Sequence, residues 1–218
     1  MVSGFIFAFK LYMENHDAPC IDWIEHMVKR LTDSEIIHVE MIPVLGGEYT
    51  AHRREDGHVV MDEGSKLVVS DKAHTAYVGS GYQEHSSETC LRDASFHHIF
   101  VPTWEEDMLE GVSFLKMQQG KRYNYLALPF TVMMPQSYKL RKIEALEDSL
   151  SSPKVFCSQM GLMLCYLSRI LTPRENNSPV FFDPLFCTPA DLYHLIMQEG
   201  NGHAMHCNPQ QLTSSGGS

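Results

Sequence analysis

Apolar residues recur along this chain with distinct periods, and each period predicts a kind of element. Phe5 to Phe9 is a continuous apolar run and reads as an opening strand. Ile21, Ile24, Val28 and Leu31 then recur at helical spacing, with Asp22, Glu25, Lys29 and Arg30 turned elsewhere, so a helix is expected over Ile21 to Leu31. Ile36 to Val44 reads as a strand. Gly46-Gly47 reads as a turn, and Glu48 to His52 as the return arm of an antiparallel hairpin. Short strands follow at His58-Val59-Val60-Met61 and His98-Ile99-Phe100-Val101.

Thr103-Trp104-Glu105-Glu106 has the pattern of a capping box, heading a helix with Met108, Val112 and Leu115 as its buried stripe and Gly120 at its end. A solvated, charged helix is expected near Lys139 to Leu150. The strongest helical pattern covers Ser158 to Ile170, and a last helix opens at Thr188-Pro189-Ala190-Asp191, with Thr as cap and Pro in the first turn. From Asn201 onward the chain turns polar and reads as a flexible tail. The sum is an α+β domain with an antiparallel sheet over residues 1–200, followed by a tail over 201–218.

Composition narrows the function classes. With 218 residues, 44% of them hydrophobic, the chain can build a core without disulfides or metals. A formal net charge of −10 and the lack of any uninterrupted basic run argue against nucleic acid as a partner. The N-terminal segment lacks a charged leader, and its apolar run is too short to span a bilayer, which predicts a cytoplasmic protein with no transmembrane segment. The six cysteines, scattered and without a Cys-x-x-Cys pair, are then expected to be free thiols. The oligomeric state is left open.

Val155-Phe156-Cys157-Ser158-Gln159 delivers a cysteine to the first turn of an apolar helix, where unpaired amides and the positive dipole end favour the thiolate. A nucleophilic thiol needs a base. Strand alternation places His38 and Glu40 on one face of Ile36-Ile37-His38-Val39-Glu40-Met41, where an imidazole can be held rigidly. Across the expected hairpin His52 would approach His38 and fix its tautomer, with Glu40 and Thr50 as competing orienters. No metal and no cofactor are expected. His97-His98 point to opposite faces of a strand, and His203, His206 and Cys207 lie in the tail without a fourth ligand. Tyr77 and Tyr82, around Gly79-Ser80-Gly81, have no assigned role beyond a groove-lining loop.

These residues, in this order, resemble the circularly permuted NlpC-type papain-like superfamily. His38-Val39-Glu40 looks like its histidine strand, Gly120-Lys121-Arg122-Tyr123-Asn124 its Gly-x-x-Tyr-Asp element, and Phe156-Cys157-Ser158-Gln159 its aromatic-Cys-Ser-Glu nucleophile motif. Thr188-Pro189-Ala190-Asp191-Leu192 is similar to the start of its last helix, and Gly46 to His52 to the turn and second histidine of lecithin:retinol acyltransferase-like members. The resemblance implies a permuted papain-like fold and a cysteine hydrolase, with Cys157 as nucleophile, His38 as base and His52 as third member. Tyr123, Ser158, Gln159 and Glu40 are then candidates for oxyanion or substrate binding. The substrate would be a peptide, an amide or a lipid-derived acyl group. The Asn-Cys-Glu-His motif of the acyltransferase branch is absent, which favours hydrolysis over a lipid-acting acyltransferase or phospholipase; a non-catalytic interaction module is the other alternative.

Overall fold

The apolar run near the start of the chain forms the middle of a sheet. In the computed structural model β1 (Gly4–Leu11) lies between β2 (Ile36–Glu48) and β8 (Phe96–Pro102), antiparallel to both. Phe5, Phe7 and Phe9 pack into one hydrophobic cluster with the helices, while Ile6 and Ala8 pack into a second cluster on the opposite face. A strand covered on both sides needs apolar residues at every position, which is why Phe5 to Phe9 does not alternate. The description covers residues 2–13, 26, 28–30, 32–124, 140–141, 149–172, 181–199 and 203–216.

The architecture is α+β. Among the described residues a ten-stranded sheet runs in the order β14, β5, β2, β1, β8, β13, β4, β3, with β6 attached to β2 and β7 to β6. The remaining strands of this sheet are β3 (Ala51–Arg53), β4 (Val59–Met61), β5 (Lys66–Val69), β6 (Lys72–Tyr77), β7 (Gly81–Ser86), β13 (Met205–Cys207) and β14 (Leu212–Ser214). Most pairs are antiparallel, but β13 runs parallel to β4 and β14 parallel to β5. The helices are α1 (Glu88–Arg92), α2 (Glu105–Met117), α3 (Cys157–Leu167) and α4 (Pro189–Glu199). No described helix is long and apolar enough to cross a membrane.

Four sequence expectations are corrected. Gly46-Gly47 is not a hairpin turn. β2 continues to Glu48 with a bulge between Val44 and Gly46, and pairs there with β5. Gly47 has φ +125°, and a Cβ on it would stand 2.2 Å from the Lys66 carbonyl oxygen, so glycine serves close strand approach instead of chain reversal. The return arm, β3, pairs with β4. Second, Thr103 does not cap α2. Its hydroxyl donates to the Ser168 carbonyl, and Trp104 occupies the cap position without a side-chain bond. Third, residues 205–214 are not a loose tail: β13 completes the sheet beside β8, and β14 lies along β5. Fourth, Leu140–Arg141 is a strand, paired with Phe181–Phe182, where a charged helix was expected. The rest of that expected helix falls outside the described residues apart from a helical turn at 149–151, as does most of the one expected over Ile21 to Leu31.

Removing residues 203–218 strips a partner strand from both β8 and β5. The truncated chain is expected to melt several degrees below the full chain in a circular-dichroism scan, since about 1 kcal/mol shifts a domain of this size by roughly 2–4 °C. An unchanged melting temperature would return the segment to the status of a tail.

Candidate active site

Cys157 is the first residue of α3, and the residue at the cap position is Phe156. A phenylalanine has no side-chain oxygen to offer, so the first-turn amides of α3 go without the side-chain cap that serine or aspartate supplies. The Ser158 amide bears on the Cys157 sulfur instead. The short strand leading into the helix, β11 (Lys154–Val155), runs parallel to β9 (Arg122–Tyr123), and the Asn124 amide donates to the Val155 carbonyl at 3.1 Å. Ser158 donates to the Cys187 carbonyl at 2.7 Å. Just beyond Cys187, Thr188 and Asp191 cap α4 reciprocally: the Thr188 hydroxyl donates to Asp191 at 2.8 Å and accepts from the Asp191 amide at 3.0 Å. Three segments that are remote in sequence, 120–124, 156–159 and 187–191, therefore meet around one helix start.

His38 supplies the second half of the site. The edge of β2 carries Thr75 of β6, whose hydroxyl donates to the Val39 carbonyl at 2.8 Å. A threonine hydroxyl has one proton, so its 3.0 Å contact with His38 Nε2 is one in which the imidazole N–H donates. Glu40 Oε1 lies 3.7 Å from the same nitrogen, at ion-pair distance. Nε2 is thus committed, which leaves Nδ1 as the nitrogen available to another partner. The Tyr77 ring stacks on the imidazole with centroids 4.8 Å apart and fixes its plane.

Burial opposes charge on both partners, and their mutual attraction reverses the outcome. For Cys157, desolvation pushes the thiol up; the charge and hydrogen bond of His38, with backbone hydrogen bonds at Val39 and Ser158, bring it below its ordinary value. For His38, desolvation pulls down, but Cys157 and then Glu40 push it up to about 9. Each partner therefore favours the charged form of the other, which is the thiolate–imidazolium pair. Behind them Glu40, 1% exposed, is held well below the usual carboxylate range: burial works against its charge, and the pull of His38, His85 and Tyr77 prevails.

Each candidate residue can now be placed. Cys157, His38 and Glu40 are brought together. His52 is not. It lies on β3, beyond the far end of β2. There it is exposed, and its Nδ1 pairs with Asp62 at 2.6 Å. Thr50 also sits at that end, bonded to Ser65. With the hairpin absent, the groups beside His38 Nε2 are Thr75 and Glu40. Tyr123 is buried beside the nucleophile's approach strand; Gln159 is fully buried, with both amide atoms unpaired. Thr75, Tyr77 and His85 were missed as site residues. The signal for them was the Gly79-Ser80-Gly81 turn between two polar-apolar runs, which forms the β6–β7 hairpin. Among the described residues no group of three or more His, Cys, Asp or Glu is arranged to hold a metal ion. His206 instead makes ring contacts with His58 and His97 in a cavity of about 630 Å³ beside β4 and β13.

No protein-family model, no curated protein and no solved structure matches this chain.

Glu40→Gln removes a charge that raises His38, so the His38 imidazole, followed by NMR, should titrate about a unit or more below its wild-type value near 9. His52→Ala should leave that titration in place. The reverse pattern would restore His52 as the orienter.

Proposed function

We propose that this chain is a cysteine-dependent hydrolase that cleaves an amide-type bond, peptides included, through an acyl-enzyme on Cys157. The observation that carries the reading is a thiol at a helix start without a side-chain cap and a buried imidazole whose Nε2 already donates to Thr75 with Glu40 close by, the imidazole lowering the thiol's pKa. A structural cysteine has no use for such an arrangement, since a buried thiol alone is pushed toward the neutral form. A circularly permuted papain-like fold is part of the proposal. It is supported by the base on an early strand, the nucleophile heading a later helix, and the 120–124 and 188–192 segments gathered beside that helix.

The chemistry follows from the geometry. The Cys157 sulfur attacks the carbonyl carbon, and the carbonyl's π electrons move to oxygen, where uncapped amides of the first turn of α3 stabilise the oxyanion. As the intermediate collapses, the carbon–nitrogen bond breaks and His38 gives its proton to the departing amine. Water then adds to the thioester with neutral His38 taking its proton. The carbon–sulfur bond breaks, the acid leaves, and the thiolate–imidazolium pair is restored. Hydrolysis is preferred over acyl transfer to a lipid acceptor because the acyltransferase nucleophile motif is absent.

Iodoacetamide labelling across pH tests the pair. His38 brings the Cys157 thiol below its ordinary value, so at pH 6–7 Cys157 should label faster than a free thiol with a pKa near 8.5, which reacts there through only a few per cent of thiolate or less. A second rise should appear near pH 9 as His38 loses its proton and stops pairing with the sulfur. In His38→Ala the low-pH limb should vanish. Slow labelling of Cys157, equal to that of Cys207, would reduce the chain to a binding module with an inert thiol.

A further inference from the structure

Glu40 serves two imidazoles. His38 Nε2 approaches its Oε1 at 3.7 Å, and from the opposite side His85 Nε2 stands 3.2 Å from its Oε2, both atoms of that second contact being shut off from solvent. The Tyr77 hydroxyl donates to Oε1 at 2.5 Å, while Oε2 and His85 Nε2 form no hydrogen bond and face each other only at ion-pair distance. His85 is reached from β7, His38 from β2, and their registers are locked because β6, paired to both strands, lies between them. We propose that His85 is a positioning residue that shares Glu40 with His38 and so weakens the hold of the base on its proton. The inference rests on the hydrolase reading of the same site.

The need for such a device is set by the base's surroundings. An imidazolium placed between a thiolate and a buried carboxylate is stabilised from both sides. A base that holds its proton too firmly is a poor acid for the leaving amine, because proton transfer works best when the donor's pKa lies near the working pH. A second cation on the far oxygen takes up part of the carboxylate's charge and repels the first imidazolium. That repulsion is mutual: His38 opposes the rise that Glu40 otherwise imposes on His85. Cys157 of α3, Tyr77 and His74 of β6, Glu84 of β7, Cys90 of α1 and His98 of β8 are the other titratable groups that bear on this cluster. His74 and His98 are both held toward the neutral form, chiefly by burial, whereas Glu40 raises His85, so of the three His85 is the imidazole drawn toward the cation.

The sign of one titration separates this role from a merely structural one. In His85→Gln, Glu40 is left to His38 alone, and the His38 imidazole should titrate at higher pH than in wild type by NMR. The upper inflection in iodoacetamide labelling of Cys157 should move up with it, by roughly half a unit, about threefold in proton affinity. If His85 only props Glu40 in place, its loss loosens the carboxylate and His38 moves down, which overturns the proposal, as does a superimposable profile. His85→Lys restores a cation and should return the inflection toward wild type. If wild-type Cys157 lacks a low-pH limb altogether, the hydrolase reading fails first; a limb lost in His38→Ala but indifferent to His85→Gln leaves that reading standing and ends this one.

Discussion

A carboxylate buried at 1% exposure is the constraint around which this molecule is arranged. Taking Glu40 out of water costs several kcal/mol even after relaxation, and the cost is offset only if both oxygens find charged or strongly polar partners. Those partners come from different strands: His38 beside Glu40 on β2, Tyr77 on β6 and His85 on β7. The carboxylate therefore does structural work as it does electrostatic work. It ties the β6–β7 hairpin to β2 at a fixed register, and the same tie leaves the His38 ring a single orientation, stacked on Tyr77 and bonded through Nε2.

The rest of the fold brings a thiol to that ring. Gly81 has φ +78°, and a Cβ there would stand 2.2 Å from the Lys121 carbonyl oxygen, so the hairpin can press against the segment just before β9. The Tyr82 amide donates to that same carbonyl at 3.0 Å. β9 pairs with β11, and β11 runs directly into Cys157. A short mechanical path thus joins the strand that carries His85 to the helix that carries the nucleophile. Beneath it, β1 buries apolar side chains on both faces and gives β2 a rigid support.

What could be read from the sequence was what depends on neighbours along the chain. The β1 run, the α3 segment, the cap of α4 and the shared face of His38 and Glu40 all follow from local period or local capping, and each is found in the structure. The failures came where pairing partners decide. Gly46-Gly47 has the composition of a turn, but φ/ψ freedom serves a bulge and a close approach equally well, and only the position of β5 distinguishes them. That misreading carried His52 toward His38 and past Glu40. The last residues looked disordered because β13 and β14 are short and polar; their hydrogen bonds go to strands far away in sequence. The Gly79-Ser80-Gly81 turn marked the hairpin that carries Thr75, Tyr77 and His85 but not their purpose, since their partners are His38, Val39 and Glu40 on another strand.

Cysteine itself supplies the last step. Cys90, Cys157, Cys165 and Cys187 are all buried, and Cys207 is half-buried. Burial pushes Cys90 and Cys165 up and Cys207 to about 12, each as an inert, neutral thiol. Cys157 and Cys165 share one helix and comparable burial, yet shift in opposite directions. Exposure cannot account for the difference, nor can residue type. What separates them is position: Cys157 stands where the helix leaves its amides unpaired and an imidazole arrives from β2, whereas Cys165 sits a few turns on with neither. The opposite shifts of the two thiols thus follow from a junction between a helix start and a strand edge, and the buried carboxylate is what holds the strand's side of that junction in place.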